Sequence, residues 1–428
     1  MSRLPGAAEA ARAIAAGRTT SQEVVAACLA RIAEREETVR AWAFLDPELA
    51  LAQARACDAA AEPAGPLHGV PVGIKDIFDT ADMPTAMGSP IYRGHRPAAD
   101  AAAVAILRQA GAVILGKTAT AEFAGTHPGP TTNPHDAART PGGSSQGSAA
   151  GVADFMVPAA LGTQTGGSVL RPSSYCGIFG FKPSFGTTAR AGIKFAAESL
   201  DTVGLHAREL DDIALLADVL WGREPAGIAA PAAPPRIGLC RTPLWHFAEP
   251  ETAAAIEEAA EAARAAGAAV DEVRLPAAFE ALADARRAIN DYERARAMAH
   301  EWRTDRDRLS PALRKIVASG LAVPHAEYRA ARARTRDCRH MLDWLFDDWD
   351  ALLAPAVNGE APPGLDYAGD PAFQSLWTML HVPAITLPTH RGPNGMPVGI
   401  QLVSRRGADD ALLSVAAWLW QACGTGET

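Results

Sequence analysis

Lysine is scarce in this sequence. Only Lys75, Lys117, Lys182, Lys194 and Lys315 occur in 428 residues, and arginine carries the rest of the positive charge. A lysine inside a motif therefore stands there for lysine chemistry more than for surface charge. Cysteine is thin as well: Cys28, Cys57, Cys176, Cys240, Cys338 and Cys423 are scattered with no CxxC pair. In a chain of this length that fits reduced thiols and argues against a disulfide framework. No HExxH and no Cys/His cluster with zinc spacing occurs, so no metal and no cofactor are expected. No stretch approaches the roughly 20 apolar residues that span a bilayer. The opening MSRLPGAAEAARAIAAGRTT also lacks the apolar core of a secretory signal. A cytoplasmic protein without membrane contact is expected. Excess positive charge is missing too. A net charge of −9 argues against a nucleic-acid partner, because phosphate binding needs a clustered basic surface. The arginines are interleaved with acids, as in RARTRDCRHMLDWLFDDWD, the pattern of solvated helix faces.

What remains is an ordinary globular composition, alanine-rich and long enough for a large core. Residues 5–17 read as a short helix, and Thr20 with Glu23 forms a capping box for a helix over about Ser21–Glu36. Ala41–Leu45 reads as a strand, and Pro47 opens a helix reaching about Ala61. Val70, Val72 and Ile74 alternate with Pro71, Gly73 and Lys75, a period of two that predicts a strand ending on Lys75. A helix over Ala99–Gln109, a buried AVILGK strand and a helix start at Ala119–Ala124 follow. Beyond Thr187 the pattern predicts helices at Asp211–Leu220, Glu249–Ala266, most of 280–348 and Leu412–Cys423. Strands are predicted at RIGLC, AAVDEVRLP, DALLAPAV, VPAITLP and MPVGIQLVS. With no repeat and no linker, one large α/β domain fits better than two.

The chain is organised around Arg139–Gly186, which holds two glycine-serine clusters, GGSSQGSAA and GTQTGGSVLRP. Ser145–Met156 between them can be helical, Val157–Leu161 is a short apolar segment, and GIFGF is a further strand candidate. Glycine there lets backbone N–H groups approach a ligand. Gly143–Gly147 formally matches the G-x-S-x-G nucleophile elbow, but NPHDAARTPG before it is a loop, whereas an elbow needs a strand. No S-x-x-K occurs, and neither cluster contains GK[ST] or G-x-G-x-x-G. Two such clusters, each offering serine hydroxyls, suggest a site where a developing negative oxygen meets N–H donors, and serine-nucleophile acyl transfer is the chemistry expected.

IKD at Ile74–Asp76, PGGSSQGSAA at Pro141–Ala150 and GTQTGGSVLRPSSYCGIFGFKPSFG at Gly162–Gly186 resemble the amidase signature family. SLDTVG at Ser199–Gly204, VPAITLP and GMPVGIQLVS continue in the family's order, so the likeness spans nearly the whole chain. The resemblance implies a single α/β domain over 1–428, a mixed β-sheet core surrounded by helices, with a catalytic core region at 62–210. It implies a Ser–Ser–Lys triad: Ser168 as nucleophile, Ser144 as proton relay and Lys75 as base. Family members hold the relay serine through a cis peptide, here Gly143–Ser144. The oxyanion would meet backbone N–H groups of Thr165, Gly166, Gly167 and Ser168. Lysine can serve as a base only when neutral, and burial lowers its pKa from about 10.4.

Asp76 is expected to brace its loop, Ser145 to be a hydrogen-bonded neighbour or cap, and Cys176 to be a small buried residue. Most family members carry arginine two residues after the nucleophile; here Leu170 stands there and Arg171 follows. SVLRP, with TQT in place of the commoner TDT, is similar to the malonamidase-like branch, where the arginine grips a substrate carboxylate. Arg171 and Gly143 are thus the candidate substrate-binding residues. Bracing of the loop by Arg171, through backbone carbonyls or Asp201, is the alternative. Met83–Ser89, Thr118–Phe123 and the helical regions near Trp302 and Trp377 are expected to line the pocket. Three readings stay open. One is a free-standing hydrolase of small amides, amido-acids, ureas or carbamates, a homodimer as relatives often are. Another is the amidase component of a tRNA-dependent amidotransferase, which passes ammonia to a partner protein. The third is a non-catalytic scaffold.

Overall fold

The computed structural model describes residues 4–424. The alternating apolar runs become strands of one mixed sheet: β1 (Trp42–Leu45), β2 (Pro71–Lys75), β3 (Val113–Thr118), β4 (Ala159–Gln164), β5 (Phe179–Lys182), β6 (Thr202–Ala207), β7 (Arg236–Leu239), β8 (Ala269–Glu272), β9 (Ala351–Pro355), β10 (Ala384–Arg391) and β11 (Pro397–Val403). Among the described residues their order across the sheet is β1-β3-β2-β4-β6-β5-β10-β11-β9-β7-β8. The β3–β2–β4 and β9–β7–β8 neighbours run parallel, and the middle of the sheet is antiparallel. Helices cover both faces, which is why the central strands are buried throughout rather than alternating. The fold is a single α/β domain, as the sequence predicts.

The local signals mostly hold. Thr20 Oγ1 accepts from Glu23 N–H at 3.1 Å while Glu23 Oε2 accepts from Thr20 N–H at 2.9 Å, so the capping box starts helix Ser21–Val39. Pro47 and Pro311 each open a helix at its first turn, where no N–H is needed. Helix Gln146–Ala153 lies so close to the sheet edge that a Cβ on Gly147 would sit 2.2 Å from the Ala41 carbonyl oxygen. Only glycine fits there.

Two expectations differ from the structure. β6 is not visible as a strand in the sequence, because Gly204 and His206 interrupt its apolar pattern. Both are interior positions: Gly204 lies against Val169, and His206 is fully buried and hydrogen-bonded to Ser173. Ala119–Ala124 does not start a long helix. It makes one short 3-10 turn, Glu122–Ala124, in which Phe123 and Ala124 sit at φ 46° and 52°. The Phe123 N–H is held by the Met87 carbonyl and the Phe123 carbonyl by Arg294, so no groups remain to propagate a helix.

Candidate active site

β2 and β4 are parallel neighbours with Ile74 paired to Leu161. Their carboxyl ends therefore emerge side by side, the place where open α/β sheets collect ligands. Lys75 is the last residue of β2, and Thr163 lies two residues past Leu161 on β4. The loop from Arg139 brings Ser144 to the same point. Lys75 Nζ lies 2.8 Å from Ser144 Oγ, 2.8 Å from Thr163 Oγ1 and 3.4 Å from the Thr163 carbonyl oxygen. The Gly143–Ser144 peptide is cis.

Burial decides the protonation of this lysine. Lys75 is fully buried with no carboxylate in contact among the described residues, and loss of water pulls its pKa down to about 7, opposed by Asp201 and assisted by Arg294. His206 beneath it is driven down to about 3, chiefly by burial, and is uncharged.

Lys117 is also fully buried but plays a different part. Gly111–Thr118 has the G-x-x-x-x-G-K-T spacing of a phosphate loop, yet Val113–Thr118 is strand β3, between β1 and β2, and presents no cradle of N–H groups. Its ammonium is 3.1 Å from Asp76 and donates to Thr85 Oγ1 at 2.6 Å and the Pro84 carbonyl at 3.2 Å. Asp76 in turn accepts from Ala86 N–H at 3.2 Å. The bracing expected of Asp76 is what it does: the pair holds the Met83–Ser89 segment.

Ser168 follows the turn after β4. Exposure rises through the three groups, from 0% at Lys75 through 1% at Ser144 to 9% at Ser168, so Ser168 is the least buried of them. Among the described residues no hydrogen bond joins the Ser144 and Ser168 side chains; the Ser168 carbonyl instead accepts from Ser145 N–H at 3.3 Å. Ser145 Oγ bonds the Thr163 backbone on both sides, donating to its carbonyl at 3.2 Å and accepting from its N–H at 3.3 Å. None of the N–H groups from Thr165 to Ser168 is spent on an acceptor among the described residues.

Side chains that sequence reasoning passed over shape this turn. Gln164 Oε1 accepts from Val169 N–H at 2.8 Å and Leu170 N–H at 3.1 Å, while its amide donates to Thr378 Oγ1 at 3.0 Å. The Thr378 hydroxyl in turn donates to the Gly166 carbonyl at 2.7 Å. Asp201 takes the Thr165 hydroxyl and the Ala196 N–H. Thr163, Gln164 and Asp201 all lie inside the motifs GTQTGGS and SLDTVG; the first two carried no assigned role, and Asp201 was considered only as a partner for Arg171.

Arg171 is buried beside this turn. Its Nη2 donates to the Gly143 carbonyl at 2.6 Å, while Nε and Nη1 have no partner among the described residues. Tyr175, Tyr367 and Asp370 are near enough to raise its pKa, against a larger lowering by burial. It does not bond Asp201. Cys176 is buried, with its thiol pushed up by desolvation. Trp377 is fully buried in a core cluster and Trp302 packs against another, so both indole rings serve packing. No helix of the described residues is long and apolar enough to cross a membrane.

Known proteins share this sequence pattern and this fold. The Amidase family model matches residues 23–413. A glutamyl-tRNA(Gln) amidotransferase chain of Chloroflexus aggregans is 36% identical over 94% of this chain and 93% of its own length. A solved amidase superposes with a TM-score of 0.89 at 32% identity, over 97% of this chain and 99% of its own. The peptide amidase of Stenotrophomonas maltophilia gives a TM-score of 0.85 at 30% identity, over 98% and 97% of the two chains. Sequence and fold agree along nearly the full length, and the chain belongs to the amidase signature family of amide-cleaving enzymes.

Proposed function

We propose that this chain is a serine hydrolase that cleaves the C–N bond of a small amide, amido-acid, urea or carbamate through an acyl-enzyme. The observation that carries the reading is the contact of a buried lysine, its pKa brought down to about 7, with Ser144 Oγ at 2.8 Å. A serine hydroxyl is a poor nucleophile until a base removes its proton. Ser168 Oγ attacks the carbonyl carbon, its proton passes to Ser144 Oγ, and the Ser144 proton passes to Lys75 Nζ. The negative oxygen of the tetrahedral intermediate is received by N–H groups of Thr165, Gly166, Gly167 and Ser168. Donors of this kind are typically worth about 10²–10³ in rate each. Collapse breaks the C–N bond, and the leaving ammonia or amine takes the proton back from Lys75 through Ser144. Water then enters by the same relay and releases the acid.

Trapping with a fluorophosphonate tests the assignment. Covalent label should sit on Ser168, disappear in Ser168→Ala and persist in Ser145→Ala. Label retained by Ser168→Ala overturns it.

A second reading has its own support in the similarity to the glutamyl-tRNA(Gln) amidotransferase chain. In that case this protein would release ammonia for a partner. Turnover of simple amides by the isolated chain supports the free-standing hydrolase; a strict requirement for a partner and tRNA supports the amidotransferase role. Within the free-standing reading, the unpartnered Nε and Nη1 of Arg171 favour a substrate with a carboxylate, the malonamidase-like case. Label on Ser168 together with turnover of any amide removes the scaffold reading.

A further inference from the structure

Joined to Ser144 by backbone hydrogen bonds is a left-handed turn that its own residues do not explain. Phe123 and Ala124 stand in succession at φ 46° and 52°, a region that residues other than glycine occupy only when their surroundings impose it. Arg294, on helix Leu282–Ala297, grips the carbonyl side of this turn. Its Nη1 donates to the Phe123 carbonyl at 2.6 Å and its Nη2 to the Ala124 carbonyl at 3.5 Å. A planar guanidinium can hold both acceptors at once, which an ammonium cannot do in the same geometry.

The amide side of the turn leads to the catalytic groups. Phe123 N–H donates to the Met87 carbonyl at 2.8 Å, and Met87 is itself left-handed at φ 57°. Ala124 N–H donates to the Ala121 carbonyl at 2.9 Å, and Ala121 N–H donates to the Ser144 carbonyl at 3.2 Å. Arg294 is thus linked through backbone bonds to both the Met83–Ser89 segment and Ser144.

Arg294 is 3% exposed, and among the described residues it makes no ion pair; burial lowers its pKa, opposed only from a distance by Asp201 and Asp291. Its Nε is buried without a partner. An unpaired buried cation is costly and demands a reason.

We propose that Arg294 is a positioning residue for acylation, fixing the Phe123–Ala124 turn and through it Ser144 and the Met83–Ser89 wall. This rests on the triad reading. A second consequence is electrostatic. Asp201, just before β6, and Arg294, from the helical layer, are the charges that act on Lys75; His206 on β6 is close enough to feel it, and the Asp76–Lys117 ion pair follows it in the chain. His206 is uncharged, and Asp76 and Lys117 offset each other. The permanent charge of Arg294 therefore opposes Asp201 in setting whether a second cation is tolerated on Lys75.

The test is the pH dependence of fluorophosphonate labelling of the full chain, in wild type, Arg294→Lys and Arg294→Met. Misplacement by about 1 Å can cost roughly a hundredfold in rate. Arg294→Met should label at least about tenfold more slowly at pH 7, with its rising limb displaced to higher pH. Arg294→Lys gives up the double grip and keeps a charge only while the buried ammonium stays protonated, so its limb should lie between those of wild type and Arg294→Met while its rate remains low. That split is one a merely structural residue would not produce. If Arg294→Met does not fold, Arg294→Lys decides alone: a wild-type rate overturns the proposal. Ser168 labelled in all three proteins with one rate and one limb also overturns it while leaving the triad intact. Label on another residue in wild type overturns the triad, and this inference with it.

Discussion

Thr163 occupies two of the three directions in which Lys75 Nζ makes a polar contact, through Oγ1 at 2.8 Å and its carbonyl at 3.4 Å. A neutral amine has two N–H donors and one lone pair. If Thr163 takes both donors, the lone pair faces Ser144 Oγ, the third contact at 2.8 Å. Thr163 then orients the base as well as packing against it. Thr163→Val keeps the branched shape that suits β4 but removes the hydroxyl acceptor. A lost bond of this kind is worth about 1–3 kcal/mol, on the order of tenfold to a hundredfold in rate. Labelling of Ser168 should slow by that amount, and Thr163→Ser should recover most of it. A Thr163→Val protein that labels at the wild-type rate would show that Lys75 is aimed by something else.

With Lys75 as the proposed base, its protonation should set the pH dependence. Burial brings its pKa to about 7, and only the neutral form can accept a proton from Ser144. Acylation should therefore rise as pH increases through about 7 and level off above it. The direction is the reverse of that for an enzyme using a protonated general acid. Lys75→Arg places a guanidinium that does not deprotonate, so the slow residual rate should be flat with pH. A wild-type profile that falls on passing from pH 6 to 8, at constant protein integrity, removes lysine as the base.

The meeting of Lys75 and Ser144 was legible in the sequence because its signals are local. The alternation of Val70, Val72 and Ile74 put Lys75 at a strand end, and the two glycine-serine clusters marked the chain segments that meet it. The β-sheet order was not legible, since antiparallel insertion of β6 between β4 and β5 depends on contacts far apart in the chain. Polar residues facing inward were hardest to read. His206 interrupts a strand pattern because it bonds Ser173, and Arg294 looks like one more arginine on a charged helix. Nothing local distinguishes a buried guanidinium from the solvated ones around it; only the fold brings Phe123 and Ala124 beneath it.

Gly166 and Gly167 should respond differently to a methyl group. A Cβ on Gly167 would fall 2.4 Å from Gln374 Oε1, whose side chain is held by a bond to the Ala356 carbonyl. On Gly166 the nearest neighbour would be Pro371 Cβ at 3.4 Å, an ordinary contact. Overpacking typically costs about 1–3 kcal/mol, and at Gly167 the turn that carries the N–H donors must absorb it. Gly167→Ala should lose more than about tenfold in acylation rate, while Gly166→Ala stays within a few-fold of wild type. Parallel labelling rates with thermal melts of both proteins check this, and equal losses would mean the turn is not tuned at Gly167.

Arg171 decides between two roles because its guanidinium is half used. Nη2 is committed to the Gly143 carbonyl, so part of any loss on substitution comes from a slackened loop and must fall on every substrate alike. Nε and Nη1 are free and buried, and a carboxylate presented to them would gain charge-assisted bonds in a site that excludes water. The informative quantity is therefore the difference between substrates. For Arg171→Ala, kcat/KM for an amido-acid should fall further than for a neutral amide of similar size. A hydrogen-bonded charge contributes about 1.5–3 kcal/mol, so the extra loss should be on the order of tenfold to a hundredfold. Steady-state kinetics on a matched pair, such as a dicarboxylic acid monoamide and its uncharged methyl ester, read it directly. Equal losses on the two would leave Arg171 as a brace for Gly143 and nothing more.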